Sequence, residues 1–352
     1  LSVLKALGTD VEAVQWVGGE GGMEAELIQR ESIPFAAIPA AGVHGVGLRS
    51  LPGNALRLVR GTFAARRILN QFKPDVVLFT GGYVAAPMAV AAGKIPMLLY
   101  VPDIEPGLAL KFLARFAHTI ALTTADSRRY FNPKARTIVT GYPTRPELNG
   151  WTPEKGRAHL GLDAQLPTLL IAGGSKGART INQPVFAQLP ALLELAQVVH
   201  ITGKLDWAEA QSTRFNLPVD LQNRYHPMPY LFEMGAALVS GDLAVTRAGA
   251  STLGEYPLFG LPAILVPYQY AWRYQKVNAD YLVERGAALM LTADHFSQAL
   301  LPSVRELLSQ PQKLQAMRQA MRALACPQAA HDLAELARQL ARQSHRSKEG
   351  LR

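Results

Sequence analysis

Three features of the 352-residue chain predict a two-domain α/β protein with parallel sheets. Its length exceeds what a single core usually organises. Helix-like and strand-like apolar segments alternate throughout. A strand–GlyGly–helix unit also occurs twice, at 76–90 and at 168–183. Two such domains facing one another would set both glycine turns, at C-terminal strand ends, beside an interdomain cleft.

The composition, 49% hydrophobic and 18% charged, is that of a globular chain able to bury two cores. A single cysteine, Cys326, excludes an internal disulfide and a cysteine-based zinc site, and suits a reducing compartment. Its Ala-rich helical surroundings beside Pro327 predict a small buried apolar residue rather than a nucleophile. No run of about 18 uncharged apolar residues is present, so no membrane-spanning segment is predicted, and no signal peptide is visible. The chain opens on Leu1 in a helix-like stretch, LSVLKALG, which suggests further sequence upstream.

The net charge is +9, and residues 1–145 hold 16 Lys and Arg against 10 Asp and Glu. No acidic residue falls between Glu31 and Asp75, where Arg49, Arg57, Arg60, Arg66, Arg67 and Lys73 accumulate. Leu56, Val59, Phe63, Leu69 and Phe72 are interleaved with them. A basic, apolar helical surface suits anionic lipid headgroups. The plain alternative is a solvated helix whose apolar residues face the core. Nucleic acid is not the expected partner, since no aromatic RNA-binding or helix-turn-helix signature accompanies the charge.

Taken in order, Leu1 to Leu7 reads as a helix and Val11 to Val17 as a strand ending in a glycine cluster, with a helix from Met23. That cluster lacks G-x-G-x-x-G spacing and gives little support to a nicotinamide dinucleotide, so a dehydrogenase is the least favoured reading. Pro34 to Pro39 is a short strand, followed by a glycine loop containing His44 and then the basic helix to Phe72. Strands at Asp75 to Thr80 and Met97 to Val101 come next, then an amphipathic helix at Leu108 to Ala117. Ile120 to Thr123 and Thr137 to Thr140 complete the strands of this half. Residues 146–167 read as a linker with a short helix. The pattern restarts with a strand at Thr168 to Ala172, a glycine loop and a helix containing Asn182. Strands at Val198 to Ile201 and Arg224 to Met228 follow, then a helix around Met234. A helix crosses Asn278 to Arg285. Two helical segments and a frayed basic tail, Gln343 to Arg352, close the chain.

The stretch DLAVTRAGASTLGE, Asp242 to Glu255, is the most informative. Leu243 to Thr246 reads as a buried strand, Ala248-Gly249-Ala250 as a small-residue turn, and a helix begins at Ser251 or Thr252. Glu255, one turn in, can accept hydrogen bonds from the two vicinal hydroxyls of a ribose. Thr252-x-x-Glu255 is equally a capping box that satisfies the helix's own start. After the strand at 168–172, Ser175, Lys176 and Gly177 open a helix, where backbone N–H groups and the helix dipole favour a diphosphate, the alternative being an ordinary strand-to-helix turn.

GGSKGARTIN, TRAGASTLGE with GLPAILVPYQ, RYQKVNAD, GGYVAAP and TGYPTRPEL occur in an order and at spacings that resemble the MurG family of peptidoglycan glycosyltransferases. The similarity covers nearly the whole chain. It implies a GT-B architecture: two Rossmann-like domains with parallel sheets facing an interdomain cleft. Residues 1–146 would form the acceptor- and membrane-facing domain and residues 147–328 the UDP-sugar domain, with 329–352 as a C-terminal helix and basic tail. The implied activity is inverting transfer of GlcNAc from UDP-GlcNAc to lipid I, the lipid-linked muramyl-pentapeptide, giving lipid II. No metal or cofactor is implied. The implied place is the cytoplasmic face of the bacterial plasma membrane, as a peripheral protein.

The same resemblance assigns Ser175 to the UDP moiety, the Leu231 backbone to the uracil edge, Ala250, Ser251, Thr252, Leu253, Gly254 and Glu255 to the nucleotide sugar, and Gln275 to the donor. It sets Arg145 near the diphosphate, where a planar cation offsets charge on departing UDP. Arg247 and Asn278 read as structural. On the acceptor side the chain departs from the family. The family's GGTGGH loop would precede Leu1, its HEQN segment is replaced by Tyr100-Val101-Pro102-Asp103, and Tyr142 replaces an asparagine. The general base is therefore open among Asp103, Glu105 and His44. A GT-B enzyme with another lipid or small-molecule acceptor, and a non-catalytic nucleotide-sugar-binding domain, stand as alternatives.

Overall fold

The computed structural model of the chain describes residues 1–21, 24–40, 51–174, 178–269 and 272–349. The chain divides into two compact units, Leu1–Pro143 with Gln328–Arg352, and Thr144–Pro327.

The first unit runs through α1 (Ser2–Leu7), β1 (Trp16–Gly19), α2 (Glu24–Arg30), β2 (Phe35–Ile38), α3 (Leu51–Phe72), β3 (Val77–Phe79), α4 (Ala85–Ala92), β4 (Met97–Val101), α5 (Leu108–Leu113), β5 (Thr119–Leu122) and β6 (Thr137–Val139). Strands β3 to β6 form a parallel sheet in sequential order, and β1 pairs with β2 separately, also in parallel. MLLYV and TIAL read as unbroken apolar runs because both faces of this sheet are covered. Successive side chains alternate between the faces. Leu99, Val101, Ile120 and Leu122 join a core with Ala65 and Leu69 of α3 and Met88 of α4. Leu98, Tyr100 and Ala121 pack instead on Val3 and on Leu333, Leu336 and Leu340 of the last helix, Ala329–Glu349. That helix is fastened by Arg338, which donates to the carbonyls of Ala6 and Leu7 and pairs with Asp10 at 2.9 Å.

The second unit contains α6 (Pro153–Leu160), β7 (Thr168–Ala172), α7 (Arg179–Leu195), β8 (Gln197–Ile201), α8 (Trp207–Phe215), α9 (Val219–Gln222), β9 (Tyr225–Met228), α10 (Met234–Ser240), β10 (Leu243–Thr246), α11 (Glu255–Phe259), β11 (Ala263–Leu265), α12 (Trp272–Glu284), β12 (Ala288–Met290), α13 (Ala293–Ser309) and α14 (Pro311–Arg322). Its six parallel strands lie in the order β12-β11-β10-β7-β8-β9. The last helix of the chain, already placed in the first unit, is α15.

Several expectations change. The first strand starts at Trp16 rather than Val11, because it can pair only where β2 exists, and β2 is bounded by Pro34 and Pro39. Helix α5 stops at Leu113, not Ala117, as Arg115 and Phe116 bond back three residues and tighten the last turn. The linker region is built into the second unit. A Cβ on Gly156 of α6 would come within 2.5 Å of Ser240 Oγ and 2.7 Å of the Ala236 carbonyl, so glycine permits the close contact with α10. Three helices rather than two close the chain, and α15 continues through Gln343 to Glu349 where a frayed tail was expected. Cys326 is exposed, not buried, since Pro327 holds it in the break between α14 and α15.

Candidate functional site

In the second unit the strand order reverses between β7 and β10, the position where open α/β sheets bind ligands beyond their C-terminal strand ends. Three neighbouring strands end level there, with Ala172 beside Thr246 and Thr246 beside Leu265. The turns that leave them lead to the nucleotide-sugar residues named from the sequence. After β7, Gly174 adopts φ +94°, a conformation open to glycine at little cost. Ser175, Lys176 and Gly177 lie outside the described residues.

After β10 the chain does not enter the helix expected at Ser251 or Thr252. Ala250–Leu253 form a 3₁₀ turn, and α11 begins at Glu255 behind Gly254, with no side-chain cap. The capping box is therefore not made. The Thr252 hydroxyl donates to the Arg247 carbonyl at 3.1 Å, and the Glu255 carboxylate meets Arg145, 3.4 Å away. Glu255 is largely buried, and this burial raises its pKa above the ordinary carboxylate value against the opposing pull of Arg145. A Cβ at Gly249 would meet nothing within 4 Å, so the backbone there is open to an approaching molecule.

Arg247, read as structural, ties the turns together. One guanidinium nitrogen donates to the Val266 carbonyl at 3.0 Å and the other to the Thr180 hydroxyl on α7. The guanidinium lies over the Tyr268 ring, 5.1 Å from its centroid. Asn278, buried on α12, donates to the Ala248 carbonyl at 3.1 Å. Helix α12 starts earlier than expected and so carries Gln275 as well, whose Oε1 accepts from the Tyr268 backbone N–H at 2.8 Å. Leu231 is half-buried in the segment between β9 and α10.

Behind the β7 turn is a buried polar chain that the sequence reading missed. Asn182 donates to Asp206 at 2.7 Å and to the Thr202 carbonyl at 2.8 Å, leaving its own Oδ1 to accept. His200 Nε2 is 3.0 Å from that oxygen, and His200 Nδ1 is 3.0 Å from the Tyr225 hydroxyl. The bonds are consistent in one sense only: Tyr225 O–H to Nδ1, and Nε2–H to Asn182, with a neutral imidazole. Burial agrees, since it lowers the His200 pKa to about 3. The available signal was a lone histidine inside the strand QVVHI.

In the first unit, Asp103 follows β4 and is half-buried. Glu105 is 4% exposed and pairs with Lys111 at 3.4 Å. His44 lies outside the described residues. On α3 the apolar residues divide. Leu69 is buried, whereas Leu56, Val59 and Phe63 are 52%, 53% and 72% exposed, on a surface shared with the exposed Arg57, Arg60, Arg66 and Arg67. The plain alternative, an apolar stripe facing the core, thus fails for the first half of this helix. Among the described residues no helix is long and apolar enough to cross a membrane.

Two α/β units with parallel sheets, the second bearing a mostly buried carboxylate and an arginine at its strand reversal, have the GT-B architecture. Residues 1–122 match the glycosyltransferase family 28 N-terminal domain and residues 168–337 the glycosyltransferase family 28 C-terminal domain. The chain belongs to glycosyltransferase family 28. It is 43% identical to the UDP-N-acetylglucosamine–N-acetylmuramyl-(pentapeptide) pyrophosphoryl-undecaprenol N-acetylglucosamine transferase of Roseiflexus sp. (strain RS-1), over 91% of this chain and 82% of that protein. The crystal structure of Acinetobacter baumannii MurG superposes with a TM-score of 0.74 at 26% identity, covering 96% and 94% of the two chains. A UDP-GlcNAc 2-epimerase from Neisseria meningitidis bound to UDP-GlcNAc gives a TM-score of 0.65 at 14% identity, over 95% of this chain and 94% of that one, a likeness of fold alone. The MurG resemblance carried by the five motifs is met, and the protein is a hexosyltransferase rather than a non-catalytic binding domain.

Proposed function

We propose that this protein transfers GlcNAc from UDP-GlcNAc to the undecaprenyl-diphosphate-linked MurNAc-pentapeptide, forming the disaccharide lipid used in peptidoglycan synthesis. The observation that carries the donor half is Glu255, a mostly buried carboxylate beside the strand reversal, left uncapped by its own helix and faced by Arg145. Its two oxygens suit the ribose hydroxyls. Arg145 suits the diphosphate, and leaves Glu255 when that ligand arrives. Gln275 presents its amide N–H groups to the sugar, since its oxygen is engaged by Tyr268. Ser175, Lys176 and Gly177 are assigned to the diphosphate, Ala250 and Ser251 offer backbone N–H groups at the head of the 3₁₀ turn, and the Leu231 backbone pairs with uracil.

Departure of UDP leaves the sugar's anomeric carbon to be attacked by the acceptor hydroxyl, whose proton must pass to a base within hydrogen-bond reach. Of the two carboxylates considered, Asp103 is the more accessible. Incubated with UDP-GlcNAc and the lipid acceptor in vesicles, the protein should release UDP only when that acceptor is present. Equal UDP release with a diacylglycerol acceptor would shift the reading to another lipid glycosyltransferase.

The exposed Leu56, Val59 and Phe63 among four arginines support peripheral attachment to the cytoplasmic face of the plasma membrane. Beside this surface is a recess of about 430 Å³ lined by Glu20, Pro39, Ala40, Arg57 and Arg60, able to receive an anionic headgroup. Cations near an anionic surface contribute roughly 1 kcal/mol each. Cosedimentation with phosphatidylglycerol vesicles should therefore be strong at low salt, weaken at high salt, and fall sharply in Phe63→Ser. Absence of binding at low salt contradicts the attachment.

A further inference from the structure

We propose that Arg247 is a positioning residue that holds the β10 turn, the start of α7 and the segment after β11 in one arrangement, so that the uridine and diphosphate subsites are assembled together. The inference rests on the reading of this sheet edge as a nucleotide-sugar site, and adds a residue that holds the site without meeting the ligand.

The argument is one of connectivity. The start of α7, the β10 turn and the segment after β11 are separate in sequence, and the proposed donor contacts of Ala250 to Glu255 and of Gln275 on α12 lie on or beside the last two. Arg247 meets all three. It starts the β10 turn, holds Thr180 at the start of α7, and holds Val266 and the face of Tyr268 beyond β11. Its own carbonyl accepts from Thr252, which fixes the 3₁₀ turn before Glu255, and the next carbonyl, of Ala248, accepts from Asn278 on α12. Tyr268 continues the chain of contacts, because its backbone N–H is held by Gln275. With both terminal nitrogens engaged by protein and one face on an aromatic ring, the guanidinium acts on the ligand through the turns. A planar fork can donate to two acceptors on two turns and stack at the same time. A lysine ammonium, a point charge on a flexible stem, cannot.

The test uses the full chain with Arg247→Met and Arg247→Lys, titrated with UDP and separately with uridine displacing labelled UDP-GlcNAc. Both variants should lose affinity for both ligands by a similar factor of about tenfold or more, the scale on which small misplacements of a site act. The KM for UDP-GlcNAc should rise while the KM for the lipid acceptor stays unchanged. Thr180→Ala and Tyr268→Leu should give smaller losses in the same direction that do not add to that of Arg247→Met. These two also serve if the Arg247 variants do not fold. Loss of UDP affinity with uridine affinity intact would overturn the proposal and make Arg247 a direct diphosphate ligand. Unchanged affinities in all four variants would equally overturn it. Failure of the underlying nucleotide reading shows elsewhere, as UDP binding that survives Glu255→Ala.

Discussion

Replacing Glu255 with alanine is expected to weaken UDP-GlcNAc binding about a hundredfold. Two hydroxyl-to-carboxylate bonds are lost, each worth roughly 1.5–3 kcal/mol when one partner is charged, with part of the sum offset by relief of the carboxylate's burial. Glu255→Gln should lie between, because one acceptor oxygen remains. The same group predicts a pH dependence. Burial raises the Glu255 pKa, so the empty site takes up a proton at a higher pH than an ordinary carboxylate would. A protonated carboxyl accepts fewer hydroxyls, so affinity should be full above the raised pKa and fall as the pH drops through it. UDP-GlcNAc is the ligand of choice, since its diphosphate diester keeps its charge over this range. Calorimetry across pH should show this fall in the native protein and a flat response in Glu255→Gln. An unchanged affinity in Glu255→Ala contradicts the ribose assignment.

A second large effect is expected at His200. Its pKa is about 3 in the folded protein against 6.5 otherwise, because the imidazole is fully buried. The unfolded chain therefore binds a proton below pH 6.5 that the folded chain refuses. The associated stability is present above pH 6.5 and is lost as the pH falls toward 3, in total roughly 4–5 kcal/mol. Between pH 7 and pH 5 the loss should be about 2 kcal/mol, read by urea denaturation of the second unit. His200→Phe removes the His200 share of the slope and leaves that of His226, whose pKa is also lowered by burial. It also leaves the Tyr225 hydroxyl and the Asn182 oxygen buried without their partner, at a cost of about 2–4 kcal/mol at neutral pH. An identical acid slope in the variant contradicts the neutral, hydrogen-bonded histidine.

What could be read from the sequence follows from what each residue type declares by itself. Thr168–Ala172 and Met97–Val101 were legible because a strand covered on both faces is an unbroken apolar run, and both ends coincide with the observed strands. Thr252 and Glu255 misled because the capping-box spacing is satisfied while Gly254, between them, divides a 3₁₀ turn from the helix. Cys326 misled because Ala-rich surroundings suggested a buried helix, and Pro327 ended it. Arg247, Asn182, His200 and Tyr225 were less legible, since their partners are 18 or more residues away in sequence and no local pattern announces them. The same holds for α15, whose packing on β4 and α1 depends on contacts spanning the chain's length. The donor residues were named through the family motifs, and the structure then adds what links them: Arg145 to Glu255, Tyr268 to Gln275, and Arg247 to both flanking turns.

The most direct measurement is of the product formed from labelled UDP-GlcNAc and the undecaprenyl-diphosphate MurNAc-pentapeptide in anionic vesicles. The expected result is one labelled GlcNAc joined to each acceptor through a β-glycosidic bond, one UDP released per transfer, and loss of both in Glu255→Ala. Label recovered as free GlcNAc or as epimerised UDP-sugar, with the lipid unchanged, would contradict the account.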